Sequence, residues 1–357
     1  MKKEELLGIY QREASRFAFK PTEDKPYLIE PQPDVFSKLI QGGFLNEKPV
    51  NLVIEETGVN EESILDAAVG YDLVANCYNQ RADADIFVGD CIARIPNLIG
   101  SVWVDTVNHR YISRVMERPV AKRSIPMELF AGGLDLSQES TRELVRKTAQ
   151  ICYDTERLLA DPNFQNSISH VIPPINSSAE YFLKRFQKWH QIRKEQGEGI
   201  NNTWGLIKFK CPREKLLVKF LEAVDLDSIE MSYGFNVFAN TDLIETEDHR
   251  FYVLDARVEP KPYGFLIAAW LWNYVLYSWN CSPEQVFEAV MTCLKIFYRV
   301  YEADSKLRAS VKYNMFERLY ATLEIDLRYK RSPYNQLGEQ EFRSTIQNVS
   351  ELLNRMF

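Results

Sequence analysis

Asp83 and Asp85 alternate in the run RADADIFVG. On a strand, residues two apart point to the same face, and paired carboxylates there can hold a divalent metal. Asp105, in GSVWVDTV, is a third carboxylate for such a group. Asp-x-Asp is also a common surface pattern. The main chemical centre is expected from Ser232 to Trp279, a polar loop, an apolar run ending in Asp255, and a long apolar segment holding Trp270, Trp272 and Trp279. Elsewhere chemistry is thin. His109, His170, His190 and His249 are isolated, which argues against a zinc site. No GxSxG or P-loop occurs. Lys208, Lys210, Arg213 and Lys215 with Trp204 and Phe209 form a basic and aromatic run that reads as a solvated face.

The chain that must position these groups has 357 residues, which suggests two lobes or two domains. Hydrophobic residues make up 45% and charged residues 26%, enough for a sizeable core. A net charge of −7 argues against general nucleic-acid binding, which needs clustered Lys and Arg. Six scattered cysteines without a CxxC pair suggest reduced thiols. The N-terminus, MKKEELLGIYQREASRF, carries no apolar signal core. The longest apolar run, Gly264 to Tyr277, is broken by Asn273 and falls short of the roughly 20 residues a bilayer requires. A soluble cytoplasmic protein is expected.

Residues 1–20 read as a helix and Lys20 to Pro33 as a Pro-rich loop. The segment VFSKLIQGG reads as a helix capped by Asp34 and stopped by Gly42 and Gly43, with a further helix-turn-helix up to about residue 80. β-branched and aromatic runs follow Arg81, with a hairpin connection at Val107 to Arg110. Helices are expected at Ser137–Ala160, with Ser140 and Glu143 at capping-box spacing, and at Ser178–Gly197, with Phe182, Phe186 and Trp189 on one face. Pro212–Val224 and a segment beginning with Pro283 at a first helical position also read as helices. The organisation is therefore a helical N-terminal extension (1–80), a small β-rich lobe with one long helix (81–175), and a large mainly helical lobe (176–357).

This order resembles the protein-kinase-like fold, in particular its aminoglycoside-phosphotransferase-like branch. IGSVWVDTVNHRYISRV resembles that family's glycine-bearing hairpin and the strand with its phosphate-contacting base. The resemblance implies Gly100 and Ser101 at the turn over a nucleotide, and Arg114 at the basic position. YGFNVFAN resembles the family's catalytic loop, His-Gly-Asp, four residues, then Asn, with Gly234 and Asn240 matching in type and spacing. Tyr233 replaces the His and Phe235 the catalytic Asp. FYVLD resembles the strand that delivers the metal-binding aspartate, here Asp255, and PYGFLIAAWLWNYVL the first core helix of the large lobe. The implied cofactors are Mg²⁺, held by Asn240 and Asp255, and ATP or GTP. Phosphoryl transfer also needs a carboxylate to accept the acceptor's proton, and Phe235 cannot serve. Asp242 is the nearest replacement, with Asp225 and Asp227 just upstream.

The resulting expectation is an α+β, two-lobed, kinase-like protein, catalytically impaired, that binds a nucleotide or small ligand between its lobes. The N-terminal helical unit offers a place for a protein partner. Three alternatives stand beside it. One is an active small-molecule kinase with a displaced base. Another is a nucleotidyltransferase, whose signature of a Gly turn followed by Asp-x-Asp is similar to Val69-Gly70-Tyr71 followed by Asp83 and Asp85. The last is a helical scaffold without chemistry. Structural readings also remain for single residues: Asp255 as a turn residue, Asn240 in an Asx turn, Arg114 paired with Glu117 or Glu128.

Overall fold

The computed structural model describes residues 2–22, 26–29, 38–57, 73–84, 91–105, 110–130, 134–196, 229–235, 243–254, 258–327 and 337–356. The chain opens with helix α1, Lys2–Arg16, followed by strands β1, Lys20–Pro21, β2, Tyr27–Ile29, β3, Lys38–Leu45, and β4, Lys48–Thr57. Helix α2 spans 73–82. Then come β5, Ala93–Arg94, β6, Leu98–Asp105, and β7, Arg110–Glu117. Strands β1-β3-β4-β7-β6 form one antiparallel sheet, with β2 also on β3. Its β3–β4 hairpin closes through Asn46 and Glu47, both at positive φ (47° and 66°), as a two-residue primed turn requires.

The segment expected as a helix over VFSKLIQGG is therefore strand from Lys38 onward, running through both glycines. Gly43 is needed there because β1 crosses it closely. A Cβ would stand 2.3 Å from the Lys20 carbonyl oxygen and 2.4 Å from the Phe19 ring. β4 pairs with β7 from Val50↔Glu117 to Thr57↔Arg110, so strands on either side of residue 80 share one sheet. Of the expected helical extension, α1 and α2 are helical. One sheet face carries Leu39, Ile54, Val104 and Tyr111 beneath Leu6 and Ile9 of α1. The face opposite α1 carries Lys38, Glu55, Arg114 and Ser101, by the alternation of the pleat.

The rest of the chain contributes β8, Ala121–Ser124, α3, Ile125–Phe130, α4, Glu139–Leu159, α5, Pro162–Ile168, and α6, Ser178–Gln196. Strands β9, Met231–Phe235, β10, Leu243–Thr246, β11, Phe251–Val253, and β12, Val258–Pro262, follow. The C-terminal helices are α7, Phe265–Tyr277, α8, Pro283–Val300, α9, Ser305–Ala321, a π-turn at Thr322–Leu327, and α10, Glu339–Met356. A second sheet is ordered β5-β11-β10-β8, and among the described residues β9 pairs only with β12.

Helix α7 is the axis of this half. Every residue from Phe265 to Leu276 except Trp272 is buried, as an apolar surface all around a helix demands. Its N-terminus is held from α4. The Glu156 carboxylate accepts from the backbone N–H of Gly264 (3.2 Å) and of Leu266 (2.8 Å), satisfying donors a helix start leaves open. Burial pushes the Glu156 carboxyl up to about 7, against those bonds. Gly264, at φ 86°, leaves no room for a Cβ, which would meet Leu307 Cδ1 at 2.6 Å. No helix among the described residues is long and apolar enough to cross a membrane.

Candidate functional site

The strand pair β9–β12 organises the region expected to carry chemistry. Its ladder runs from Met231↔Pro262 to Phe235↔Val258. The chain leaves β9 and enters β12 at the Phe235–Val258 end. The β10–β11 hairpin lies between them in sequence, turning through residues 247–250 as the spacing of ETEDHR suggested. Asn240 and Asp242 fall between β9 and β10, and Asp255 between β11 and β12, all outside the described residues, as are Asp225 and Asp227.

YGF, expected in a loop, belongs to β9, because its backbone pairs with β12. Phe235 is fully buried. Its ring meets Tyr78 of α2 edge-on at 5.5 Å, and Tyr78 in turn meets Phe164 at 5.8 Å. Tyr78 donates to the Ala93 carbonyl at 2.6 Å. The position is therefore a closed aromatic core, and an ionised carboxylate would find no solvation there. Tyr233 is tied down by a hydroxyl bond to the Ile172 carbonyl (2.8 Å). Gly234 is required because the Lys261 side chain lies over it: a Cβ would stand 2.9 Å from Lys261 Cγ.

Arg114 and Ser101 face each other across β7 and β6, and Gly100 faces Val115. Neither Gly100 nor Ser101 sits at a hairpin turn; both are paired strand residues. Gly100 is on the face that α1 covers, 3.5 Å from the Phe17 ring if it bore a Cβ. Arg114 is buried and ion-paired through Nη1 with Glu55 Oε2 at 3.2 Å, a partner 59 residues away on the neighbouring strand β4 that spacing alone did not suggest. Register sets Lys38 opposite Glu55, so both share this sheet face with Arg114. Of the Asp-x-Asp pair, Asp83 is not on a strand. Asp83 follows α2, its N–H bonded to the Asn79 carbonyl, and its carboxylate pairs with Arg94 at 2.6 Å. Asp85 lies outside the described residues, and Asp105 ends β6 opposite Arg110. Among the described residues no group of three or more His, Cys, Asp or Glu is placed to hold a metal.

Sequence spacing also missed Glu245 on β10. Its buried carboxylate takes Arg123 Nε at 2.6 Å, Lys147 Nζ at 3.2 Å and His249 Nδ1 at 2.9 Å. Burial alone would raise its pKa; bonds from His249, Arg123 and Lys147 overcome that and hold it down to about 2. The cluster ties β8, where the chain passes from the first sheet to the second, to α4 and to the β10–β11 hairpin.

No protein-family model matches the chain, and no curated protein matches it in sequence. Solved structures do match in shape. A spectinomycin phosphotransferase in complex with ADP and spectinomycin superposes with a TM-score of 0.50 at 10% identity, over 97% of this chain and 98% of that one. An amicoumacin kinase in complex with AMP-PNP and Ca²⁺ gives 0.52 at 13% identity, over 98% and 96%. The chain has the aminoglycoside-phosphotransferase-like, protein-kinase-like fold. Within this fold, the β10–β11 hairpin that carries FYV precedes the buried helix α7, in the order the resemblance implied.

Proposed function

We propose that the chain binds a nucleotide, ATP or GTP with Mg²⁺, or a similar small ligand, beside Arg114, Asn240 and Asp255, and that its phosphoryl-transfer step is impaired. The observation that carries the second part is the burial of Phe235. A proton acceptor must reach the acceptor hydroxyl, and this side chain instead packs on Tyr78 in the core. Asn240 and Asp255 would hold Mg²⁺ through an amide oxygen and a carboxylate, the hard donors that ion prefers. Bound Mg²⁺ would neutralise phosphate charge. Arg114, with Ser101 on the same sheet face, would meet the phosphates after exchanging its partner Glu55.

The test is a thermal-shift titration with ATP and GTP, with and without Mg²⁺, on wild type and Asp255→Ala. A ligand that binds the native state raises its apparent stability by mass action. The expected result is a Mg²⁺-dependent rise that Asp255→Ala removes, with no phosphoryl transfer to water or to added acceptors. No rise with either nucleotide rejects nucleotide binding. Turnover would reject impairment and favour a displaced base, of which Asp242 is the first to replace.

A further inference from the structure

Five ionisable side chains from three elements converge below the β9–β12 ladder. Helix α9 supplies Glu317 and Arg318, α6 supplies Arg185, and β12 supplies Glu259 and Lys261. The Glu317 carboxylate is completely buried and meets Arg185 Nε at 2.6 Å and Arg318 Nε at 3.5 Å. Lys261 Nζ meets Glu259 at 2.9 Å, and it lies 4.9 Å from the Phe265 ring and 5.6 Å from that of Tyr181. Arg318 is stacked on Phe265 and Trp272, at 4.9 and 5.3 Å. Packing on rings favours the cations, but rings cannot balance their charge.

Among the described residues the cluster holds three cations against two carboxylates. Buried charge is ordinarily matched, because an unmatched one loses its hydration without return. The excess is felt at Lys261: burial pushes its ammonium down to about 8, with Glu259 opposing and Arg318 and Arg185 adding to the effect. The two carboxylates also differ. Glu317 is sealed in, whereas the Glu259 side chain is 45% exposed while that of Lys261 is 4% exposed. Glu259 can therefore leave for water without moving the core.

We propose that this cluster is the seat of a dianionic oxyanion, the phosphate of a phosphate monoester, which takes the place of Glu259 on Lys261. With Glu259 turned to solvent, Lys261, Arg185 and Arg318 carry three positive charges and Glu317 one negative charge, so a dianion makes the site neutral. Arginine's planar fork suits phosphate oxygens, and Lys261 serves as a point charge. Glu259 pairs with Gly234, next to the Phe235–Val258 end of the ladder. None of these five residues belongs to the nucleotide site proposed above.

The test is a thermal-shift titration with inorganic phosphate and with glycerol phosphate, against sodium chloride at matched ionic strength, on wild type, Glu259→Gln and Lys261→Met. Both phosphates should stabilise wild type where chloride does not. Glu259→Gln should bind them several-fold more tightly, because the competing carboxylate is gone, and Lys261→Met should lose the response. If only the ester acts, the seat reads the organic part as well; if both act equally, it reads phosphate alone. Should Lys261→Met fail to fold, Glu259→Gln decides, since its side chain is half exposed: affinity equal to or below wild type overturns the proposal. The response should survive Asp255→Ala. A phosphate response lost in that variant belongs to the nucleotide site and overturns this one.

Discussion

Replacing Glu156 by Gln separates hydrogen bonding from charge at the start of α7. The carboxylate accepts from two backbone N–H groups, Gly264 and Leu266. An amide has one oxygen, so one buried donor is left facing an NH₂ group, at a cost of about 1–3 kcal/mol. The wild-type carboxyl titrates near 7 when folded, against an ordinary value of 4.5. A raised folded pKa means that the native state holds the extra proton, so this contribution is complete below pH 4.5 and lost as pH rises through 7. Between pH 5 and pH 8 the change amounts to about 2.5 kcal/mol, at 1.36 kcal/mol per pKa unit. Glutamine cannot titrate. The destabilisation by Glu156→Gln, measured by urea unfolding, should therefore be larger at pH 5 than at pH 8 by about that amount. A difference independent of pH, or one that grows with pH, would refute the account of a buried carboxyl that takes up a proton near neutrality.

Glu245 should behave in the opposite sense. Its folded pKa is depressed, so its contribution stands above pH 4.5 and is lost as pH falls toward 2; Glu245→Gln should flatten the acid limb of the stability curve by about 2 kcal/mol, after allowing for solvent around its partners. Gly234→Ala should cost about 1–3 kcal/mol by forcing the Lys261 stem off the β9–β12 ladder, seen as a lower urea midpoint with an unchanged slope. An unchanged midpoint would mean that the stem yields freely. Glu55→Gln should strengthen nucleotide binding in the thermal-shift assay by releasing Arg114 from its ion pair. Weaker binding in that variant would show that Glu55 helps place Arg114.

The second half of the chain was the more legible. Ser282, Pro283 and Gln285 form the capping box and first turn that local chemistry dictates, and α7 declares itself by being apolar on every side. The β10–β11 hairpin was readable because its strands are adjacent and its turn is polar. What failed depended on distant partners. Lys38–Leu45 carries an apolar pattern compatible with either period, and only pairing with β4 and β1 makes it a strand. The box expected from Ser140 and Glu143 does not form; α4 starts after Gln138, which makes no side-chain cap. Asp83 reads as a strand residue because it shows no local sign of following a helix. Arg114 was expected to pair with Glu117 or Glu128, near in sequence, and pairs instead with Glu55 across the sheet. The Phe235 substitution was visible at once, but its burial against Tyr78 needed the position of α2.

The second sheet has a consequence for how the protein is made. β5 pairs in parallel with β11, and β8 pairs with β10. A ribosome that has released Ser124 must add roughly 120 residues before Leu243 exists, on the order of 6–24 s at usual elongation rates. During that interval β5 and β8 lack the strands they pair with, while the described strands of the first sheet are all present. The antiparallel sheet beneath α1 is thus free to close during synthesis, and the late hairpin β10–β11 then acts as the clasp that locks the two halves together. Chains stalled before Leu243 should be open to protease around residues 91–94 and 121–124 yet protected within β3, β4, β6 and β7.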